Sequence, residues 1–265
     1  MTKILDGQEL AGFIKERQAN LVRAMSEEKK VPQLLIIRDN DSPVIEKYVQ
    51  LKKKYGDDIG VRVVDFFNHD IEILKREIKK QNLNPEVSGM IVQLPLKKKE
   101  ETDAVVSLIA PEKDVDGLSG AGEFGSATAT AINWLLAGYN IELSGKKIAL
   151  VGRGRLVGAP LYKMFKDSGL EVRVFEEGDS LDSLSSFDVV ISATGVPRLI
   201  KGEMIKSGAV VVDAGTASEG GILVGDIEEE IREREDLVAI TPKIGGVGPM
   251  TVAVLFDNVI TAAGK

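Results

Sequence analysis

The stretch Lys146 to Pro160, KKIALVGRGRLVGAP, restricts what this chain can fold into more than any other. Ile148 to Val151 is a short apolar run that reads as a buried strand. Gly152, Gly154 and Gly158 follow, and Ala159 to Lys166 carries the pattern of a helix. Strand, glycine turn and helix in succession open a dinucleotide-binding βαβ unit. Glycine at 152 and 154 lets the backbone turn tightly and lets a pyrophosphate approach. The helix behind offers unpaired N–H groups and the positive end of its dipole. The spacing is G-x-G-x-x-x-G, one residue longer than the usual fingerprint. A second strand, Glu171 to Phe175, ends in Glu176 and Glu177, about 20 residues on, where an acid binds a ribose 2′-OH. An ordinary βα turn without a ligand is the alternative reading of the spacing.

The 265 residues suffice for one large or two modest domains. A hydrophobic share of 43% with 28% charged residues is that of a soluble globular protein. No apolar run reaches transmembrane length, and the amphipathic start MTKILDGQEL is not read as a signal peptide, so a cytoplasmic, membrane-free protein is expected. The absence of cysteine rules out disulfides, thiolate metal sites and a cysteine nucleophile. His69 is the only histidine, which argues against a histidine metal cage or a Ser-His-Asp triad, and no metal is expected. A net charge of −7 argues against nucleic acid as a partner. Proton chemistry is left to Lys, Asp, Glu or Tyr.

The N-terminal part alternates. A helix is expected over Leu5 to Met25, capped by Asp6, with Leu10, Phe13, Ile14, Leu21 and Val22 on one face. Strands are expected at Leu34–Ile37, Val61–Phe66 and Gly89–Leu94, separated by helices at Val44–Tyr55 and Ile71–Gln81. This is an α/β domain with a mainly parallel sheet. Gln93 stands near the end of the third strand, where it either polarises a carbonyl or bonds a neighbouring loop. Asp114 and Asp116 flank one valine in PEKDVDG, and turn-capping is the expected role of Asp114. The glycine-rich Ser119–Ser126 marks a domain boundary and leads to a helix over Thr128–Tyr139. Beyond the glycine turn, strands at Asp188–Ala193, Val210–Asp213 and Val238–Thr241 continue a Rossmann pattern. Thr194, Gly195 and Gly215 follow two of those strand ends and suit close approach of a nicotinamide-ribose half. KIGGVGPMT is a donor-rich turn before a closing apolar helix from Met250 to Ala263.

The segments YVQLKKK (48–54), GMIVQLPL (89–96), PEKDVDG (111–117), LVGRGRLVGAP (150–160), LVGDI (223–227) and GGVGPMTVAVL (245–255) span nearly the whole chain. Together they resemble the bifunctional methylenetetrahydrofolate dehydrogenase/methenyltetrahydrofolate cyclohydrolase family. The resemblance implies a two-domain α/β fold with a cleft between the domains. An N-terminal folate-side domain would cover 1–118, joined by the C-terminal helix 250–265, and a Rossmann dinucleotide-binding domain would cover 119–249. It also implies a homodimer. The implied activity is oxidation of 5,10-methylenetetrahydrofolate with NAD or NADP, followed by hydrolysis of the methenyl product. Tyr48 would lie against the pterin, Lys52 would be the catalytic lysine, Gln93 would assist it, and Asp116 would bond the guanidine-like edge of the pterin. Gly246 and Pro249, with Gly245, would form the loop over the substrate. Gly152, Arg153, Gly154, Arg155, Val157, Gly158, Glu176, Thr194, Gly195 and Gly215 would hold the dinucleotide. Lys53 and Lys54 would help depress the pKa of Lys52 if they stay near it. Read without the resemblance, the KKK run is a solvated helix face.

Four departures from the family pattern bear on function. Ile45 stands where the family usually has a serine, three residues before Tyr48. The segment between DVDG and the Thr128 helix is short. Gly154 replaces a serine that often contacts a 2′-phosphate, and Ile244 replaces a proline. Glu176-Glu177 would repel a 2′-phosphate, which sets NAD ahead of NADP, whereas Arg153 and Arg155 argue the other way. A dehydrogenase without efficient cyclohydrolase activity, a non-catalytic dinucleotide-binding regulator and a shikimate-dehydrogenase-like enzyme are the alternatives.

Overall fold

A computed structural model describes residues 1–219 and 222–265. In chain order the elements are β1 (Lys3–Ile4), α1 (Gly7–Glu27), β2 (Gln33–Arg38), α2 (Pro43–Ile59), β3 (Arg62–Phe67), α3 (Ile71–Asn82), β4 (Gly89–Val92), α4 (Thr102–Val106), α5 (Ala127–Gly138), β5 (Lys147–Val151), α6 (Gly158–Asp167), β6 (Glu171–Phe175), β7 (Val189–Ser192), β8 (Val210–Asp213), β9 (Ala217–Glu219), β10 (Ile222–Val224), β11 (Ala239–Ile240) and α7 (Val247–Ala263). They form two compact units, one of residues 1–11 and 128–251, the other of 12–127 and 252–265.

The unit of residues 12–127 and 252–265 is built on a three-stranded parallel sheet, β3-β2-β4. β2 is central and buried along its whole length because both of its edges are paired and both faces are covered. The core joins Leu35, Ile37, Met90 and Val92 of the sheet to Leu74 and Ile78 of α3 and Val105 and Val106 of α4. α2 begins with Pro43 in its first turn and closes on Gly60 at φ 84°, a left-handed cap that glycine accepts without strain. Residues 252–265 of α7 belong here: the Phe256 ring stacks on Tyr55 at 4.9 Å, and Asn258 Nδ2 donates to the Val115 carbonyl.

The other unit holds a six-stranded parallel sheet in the order β1-β11-β8-β7-β5-β6. Its core runs from Ala149 and Val151 of β5 through Val190 and Val211 to Ile240, with Phe175, Leu184 and Phe187 packed beside them. From β5 the chain goes to β6 on one side and then returns to β7 on the other. The strand order therefore reverses between β5 and β7, and the carboxyl ends of these two strands form a topological switch point, where open α/β sheets take their ligands.

Several expectations need correction. α1 buries Ala11, Gln18 and Val22, while Phe13 and Leu21 are exposed. The stripe is set by positions three, four and seven apart on one helical face, and Gln18 qualifies because its amide donates to Ala253 O and accepts from the Tyr55 hydroxyl. Asp6 caps the helix as expected, accepting from the Gln8 and Glu9 N–H groups. The first residues and the linker also divide differently. Met1–Ala11 belongs with the six-stranded unit because β1 pairs with β11, and the glycine-rich 119–126 stays with the three-stranded one. The closing helix starts at Val247 rather than Met250, so Pro249 lies in its first turn, where a missing N–H costs nothing. The short β1 and the antiparallel β9–β10 pair have no counterpart among the sequence expectations.

Candidate functional site

α2 carries the decisive side chain. Its buried residues are Ile45, Val49, Gly56 and Ile59. Lys52 falls on the same stripe, seven residues after Ile45 and four before Gly56, so the helix turns this lysine toward protein rather than water. Lys53 and Lys54, rotated by about 100° and 200°, point elsewhere. Lys53 pairs with Asp65 at 3.0 Å and Lys54 with Asp58 at 3.3 Å. Their expected effect on Lys52 is therefore replaced by another cause: burial pulls the Lys52 amine below its usual range, and the neighbouring Asp116 charge opposes that shift.

The partners of Lys52 come from three separate segments. Gln93 follows directly on β4, with its N–H bonded to Ile37 O of the neighbouring strand at 2.8 Å. Its Oε1 accepts from Lys52 Nζ at 2.8 Å, and its Nε2 donates to the Leu94 carbonyl. Both ends of the amide are thus used, and its orientation is fixed. The Tyr48 ring lies one turn earlier on α2, with the Lys52 ammonium 5.9 Å from its centroid. Asp116 comes from the segment between α4 and α5. Its surface is partly accessible, yet it is surrounded closely enough that desolvation pushes its carboxyl up to about 6, with Asp114 adding to the rise and Lys52 opposing it. Asp114 takes the turn-capping role, accepting from the Leu118 and Ser119 N–H groups and the Ser119 hydroxyl. Ile45 is buried on the same face of α2 and adds an apolar side chain to the stripe holding Tyr48 and Lys52. A depressed amine, an oriented amide, a phenol ring and a raised carboxyl therefore converge within one unit, an arrangement suited to moving a proton.

The six-stranded unit carries the glycine turn. Gly152 follows β5 at φ 96°, and a Cβ there would lie 2.7 Å from the Ala193 carbonyl oxygen. At Gly158 a Cβ would lie 2.1 Å from the Gly152 carbonyl oxygen. The turn folds back on the first residue of α6, and only glycine permits both contacts. Gly154 has open space around it, with no atom of the other described residues within 4 Å of a Cβ. Val157 at the N-cap of α6 supplies no side-chain cap; in the first turn the Ala159 N–H donates to the Gly154 carbonyl and Pro160 has no N–H, which leaves the Gly158 N–H facing the turn. The turn is a cradle for an anion, and its residues fit a pyrophosphate. Arg153 is exposed and donates to Glu176 Oε1 at 3.1 Å, linking the turn to the end of β6; Arg155 and Glu177 are exposed. Thr194 and Gly195 follow β7, and Gly215 follows β8. Gly215 packs directly on Asp226, a carboxylate that sequence reasoning did not single out although it lies within LVGDI. Gly246 and Pro249 belong to this unit; the Gly245 carbonyl accepts from Gln8 N–H, and Gly246 packs against Gly7.

A doubly wound parallel sheet with a glycine cradle at its switch point, and a second parallel α/β unit holding a half-buried lysine, define a two-unit dehydrogenase class. Residues 5–116 match the family model for the tetrahydrofolate dehydrogenase/cyclohydrolase catalytic domain, and residues 126–265 match that for its NAD(P)-binding domain. The chain belongs to the tetrahydrofolate dehydrogenase/cyclohydrolase family. It is 37% identical to the bifunctional protein FolD of Aquifex aeolicus, covering 98% of this chain and 94% of that one. Among solved structures it resembles the bifunctional FolD of Campylobacter jejuni, with a TM-score of 0.92 and 31% identity over 100% of this chain and 99% of that one. The Trypanosoma brucei FolD, solved with NADP cofactor and an inhibitor, gives a TM-score of 0.91 and 31% identity over 99% of this chain and 97% of that one. Among the described residues, no helix is long and apolar enough to cross a membrane.

Proposed function

We propose that this protein oxidises 5,10-methylenetetrahydrofolate to the methenyl form and hydrolyses that product to 10-formyltetrahydrofolate. The observation that carries the reading is the half-buried Lys52 ammonium held by Gln93 beside Tyr48 and Asp116. A binding module needs no such set, and a shikimate-dehydrogenase-like enzyme does not explain DVDG or GGVGPMT. A nicotinamide dinucleotide, when bound, supplies the hydride acceptor. Gly152, Arg153, Gly154, Arg155, Val157 and Gly158 would hold its phosphates, and Glu176, Thr194, Gly195 and Gly215 its ribose and nicotinamide halves. The oxidation asks for positioning and desolvation, because the lone pairs of the two flanking nitrogens stabilise the cation that forms.

Hydrolysis asks for more. Water adds to the methenyl carbon, one C–N bond breaks, and the freed nitrogen takes a proton. In its neutral form Lys52 Nζ takes one proton from the attacking water and gives it to the leaving nitrogen, while the water's second proton is released to solvent as the formyl C=O forms and the positive charge is lost. Gln93 holds Nζ in place, Tyr48 lies along the pterin, and Asp116 accepts from the pterin's amino edge as a carboxylate. Gly246, and Pro249 in the first turn of α7, would contribute to substrate binding. The protein works in the cytoplasm as a homodimer.

The cofactor is NAD ahead of NADP. Glu176 and Glu177 put two carboxylates where a 2′-phosphate would sit, and the Arg153–Glu176 pair occupies one of the two arginines able to bind it. Turnover of methylenetetrahydrofolate with NAD and NADP in parallel, with methenyl product followed separately from reduced nicotinamide, tests both parts. NAD is expected to give the higher kcat/KM. Glu176→Ser, which frees Arg153, is expected to raise kcat/KM for NADP about tenfold. A wild-type preference for NADP overturns the assignment of the acids.

The pH profile supplies another test. The Asp116 carboxylate favours the Lys52 ammonium and so raises the amine's pKa. Removing that charge in Asp116→Asn lowers the pKa further, and a larger share of the neutral base exists at a given pH. The rising limb of the cyclohydrolase profile is expected to move to lower pH, while KM for the folate rises. A limb that stays in place or moves upward contradicts the coupling.

A further inference from the structure

Two glycine–aspartate pairs interlock at the carboxyl ends of β7 and β8. Asp226, just after β10, is wholly buried. Its Oδ2 accepts from the Ser192 hydroxyl and from the Thr194 N–H, each at 2.7 Å, and its own N–H donates to Asp213 Oδ1 at 3.1 Å. Asp213, the last residue of β8, also accepts from the Gly215 N–H at 3.1 Å and from Arg232 Nη2 at 2.7 Å. Each carboxylate rests against the glycine beside the other. A Cβ at Gly215 would lie 1.9 Å from Asp226 Oδ1, and a Cβ at Gly225 would lie 1.9 Å from Asp213 Oδ2. Both positions admit only glycine while the two carboxylates stay where they are.

Two buried carboxylates against one arginine make a costly arrangement. Among the described residues, Asp226 Oδ1 has no hydrogen-bond partner, nor have Arg232 Nε and Nη1, although Nη1 lies 3.7 Å from Glu229 Oε2. An apolar core of the same shape would serve stability better, so the carboxylates call for another explanation. What they hold is backbone. Asp226 fixes Thr194, and Asp213 fixes Gly215. The Ala193 carbonyl and the Thr194 methyl group are in turn the wall on which Gly152 rests, at 2.7 and 3.1 Å from a Cβ built there. The clasp thus reaches the glycine turn through one residue of β7's exit loop.

We propose that Asp226 is a positioning residue for the dinucleotide. With Asp213 it locks the strand-end segments 192–195 and 213–215 in the conformation that receives the nicotinamide-ribose half. It acts through Thr194 and Gly215 and touches no substrate itself. The inference rests on the dehydrogenase reading above.

The test uses the full chain and calorimetric titration with NAD and with NADP, alongside amide hydrogen exchange and the cyclohydrolase rate on methenyl-tetrahydrofolate without dinucleotide. Asp226→Ala leaves the Thr194 N–H and the Ser192 hydroxyl without their acceptor. It is expected to weaken dinucleotide binding about tenfold or more, to speed exchange at Thr194, and to keep the cyclohydrolase rate within about twofold of wild type. Asp226→Asn retains one acceptor oxygen and is expected to recover most of the binding. Dinucleotide binding by Asp226→Ala equal to wild type overturns the proposal, as does a cyclohydrolase loss matching the binding loss, which would make the clasp a general support of the fold. If Asp226→Ala does not fold, Ser192→Ala removes one donor without changing charge and is expected to weaken binding about threefold; unchanged binding there overturns the proposal equally. A wild-type protein that binds neither dinucleotide sinks the dehydrogenase reading itself, an outcome distinct from variants that match a binding-competent wild type.

Discussion

Replacing Lys52 with methionine is expected to lower the cyclohydrolase rate by about 100-fold or more, the scale of a lost general acid–base group. Methionine nearly matches the length of the lysine stem and suits the buried stripe shared with Ile45, Val49 and Gly56. The fold should therefore persist. Two local effects oppose each other. Gln93 Oε1 loses its donor, which costs about 1–3 kcal/mol for a buried acceptor left unpaired. Removal of an amine that burial already disfavours in its charged form gives some of that back. Stability should change little, and folate binding, measured by titration, should be largely kept because Asp116 and Tyr48 remain. Hydride transfer needs no proton from Lys52, so the dehydrogenase rate should fall much less than the hydrolytic one. A cyclohydrolase rate equal to wild type would remove Lys52 from the mechanism. An equal loss of both activities would make it a binding residue instead.

The second large effect is expected at Gly158. A methyl group there would lie 2.1 Å from the Gly152 carbonyl oxygen and 2.8 Å from Arg153 Cα. Both are backbone atoms, so no rotamer change relieves the overlap and the turn itself must open. Gly158→Ala should destabilise the protein by about 3 kcal/mol, the upper range for overpacking, and lower Tm by about 10 °C at this chain length. The displaced turn should also bind dinucleotide at least tenfold more weakly. Gly154→Ala is the contrast in thermal unfolding, since nothing among the described residues lies within 4 Å of its Cβ position; its Tm should stay near wild type. Equal Tm values for the two variants would show that the turn yields at Gly158 and that the close approach is not a constraint.

Much of the fold is legible in the sequence for local reasons. Apolar runs bounded by turn residues mark β2, β4, β5, β7 and β8 because a strand buried on both faces needs little else. Asp6 announces its helix because an N-cap acts within three residues; the structure adds Asp70, which accepts from the Glu72 N–H in the same way at the start of α3. Gly152 and Gly158 are legible because a strand, a tight turn and a helix leave one way to connect. β1 and the β9–β10 pair are not, since two or three residues give no period and their pairing partners are chosen by tertiary contact.

The candidate site divides in the same way. The residue types were present in the sequence: a lysine among lysines, a glutamine at a strand end, an aspartate in a turn. The stripe Ile45, Val49, Lys52, Gly56 was a usable signal, since it sets Lys52 apart from Lys53 and Lys54 by helix geometry alone. Charge and burial were not readable, because they depend on what faces the helix. Only the tertiary structure placed Gln93 at 2.8 Å from Lys52, sent Lys53 to Asp65, and raised the Asp116 carboxyl. It alone brought Asp226 against Gly215 and Asp213 against Gly225. The sequence by itself determined most of the elements, the glycine cradle and the family, because these rest on contacts between near neighbours and on motifs read in order. The state of each ionisable group and the clasp behind the cradle were decided by residues far apart in the chain, whose meeting no local pattern encodes.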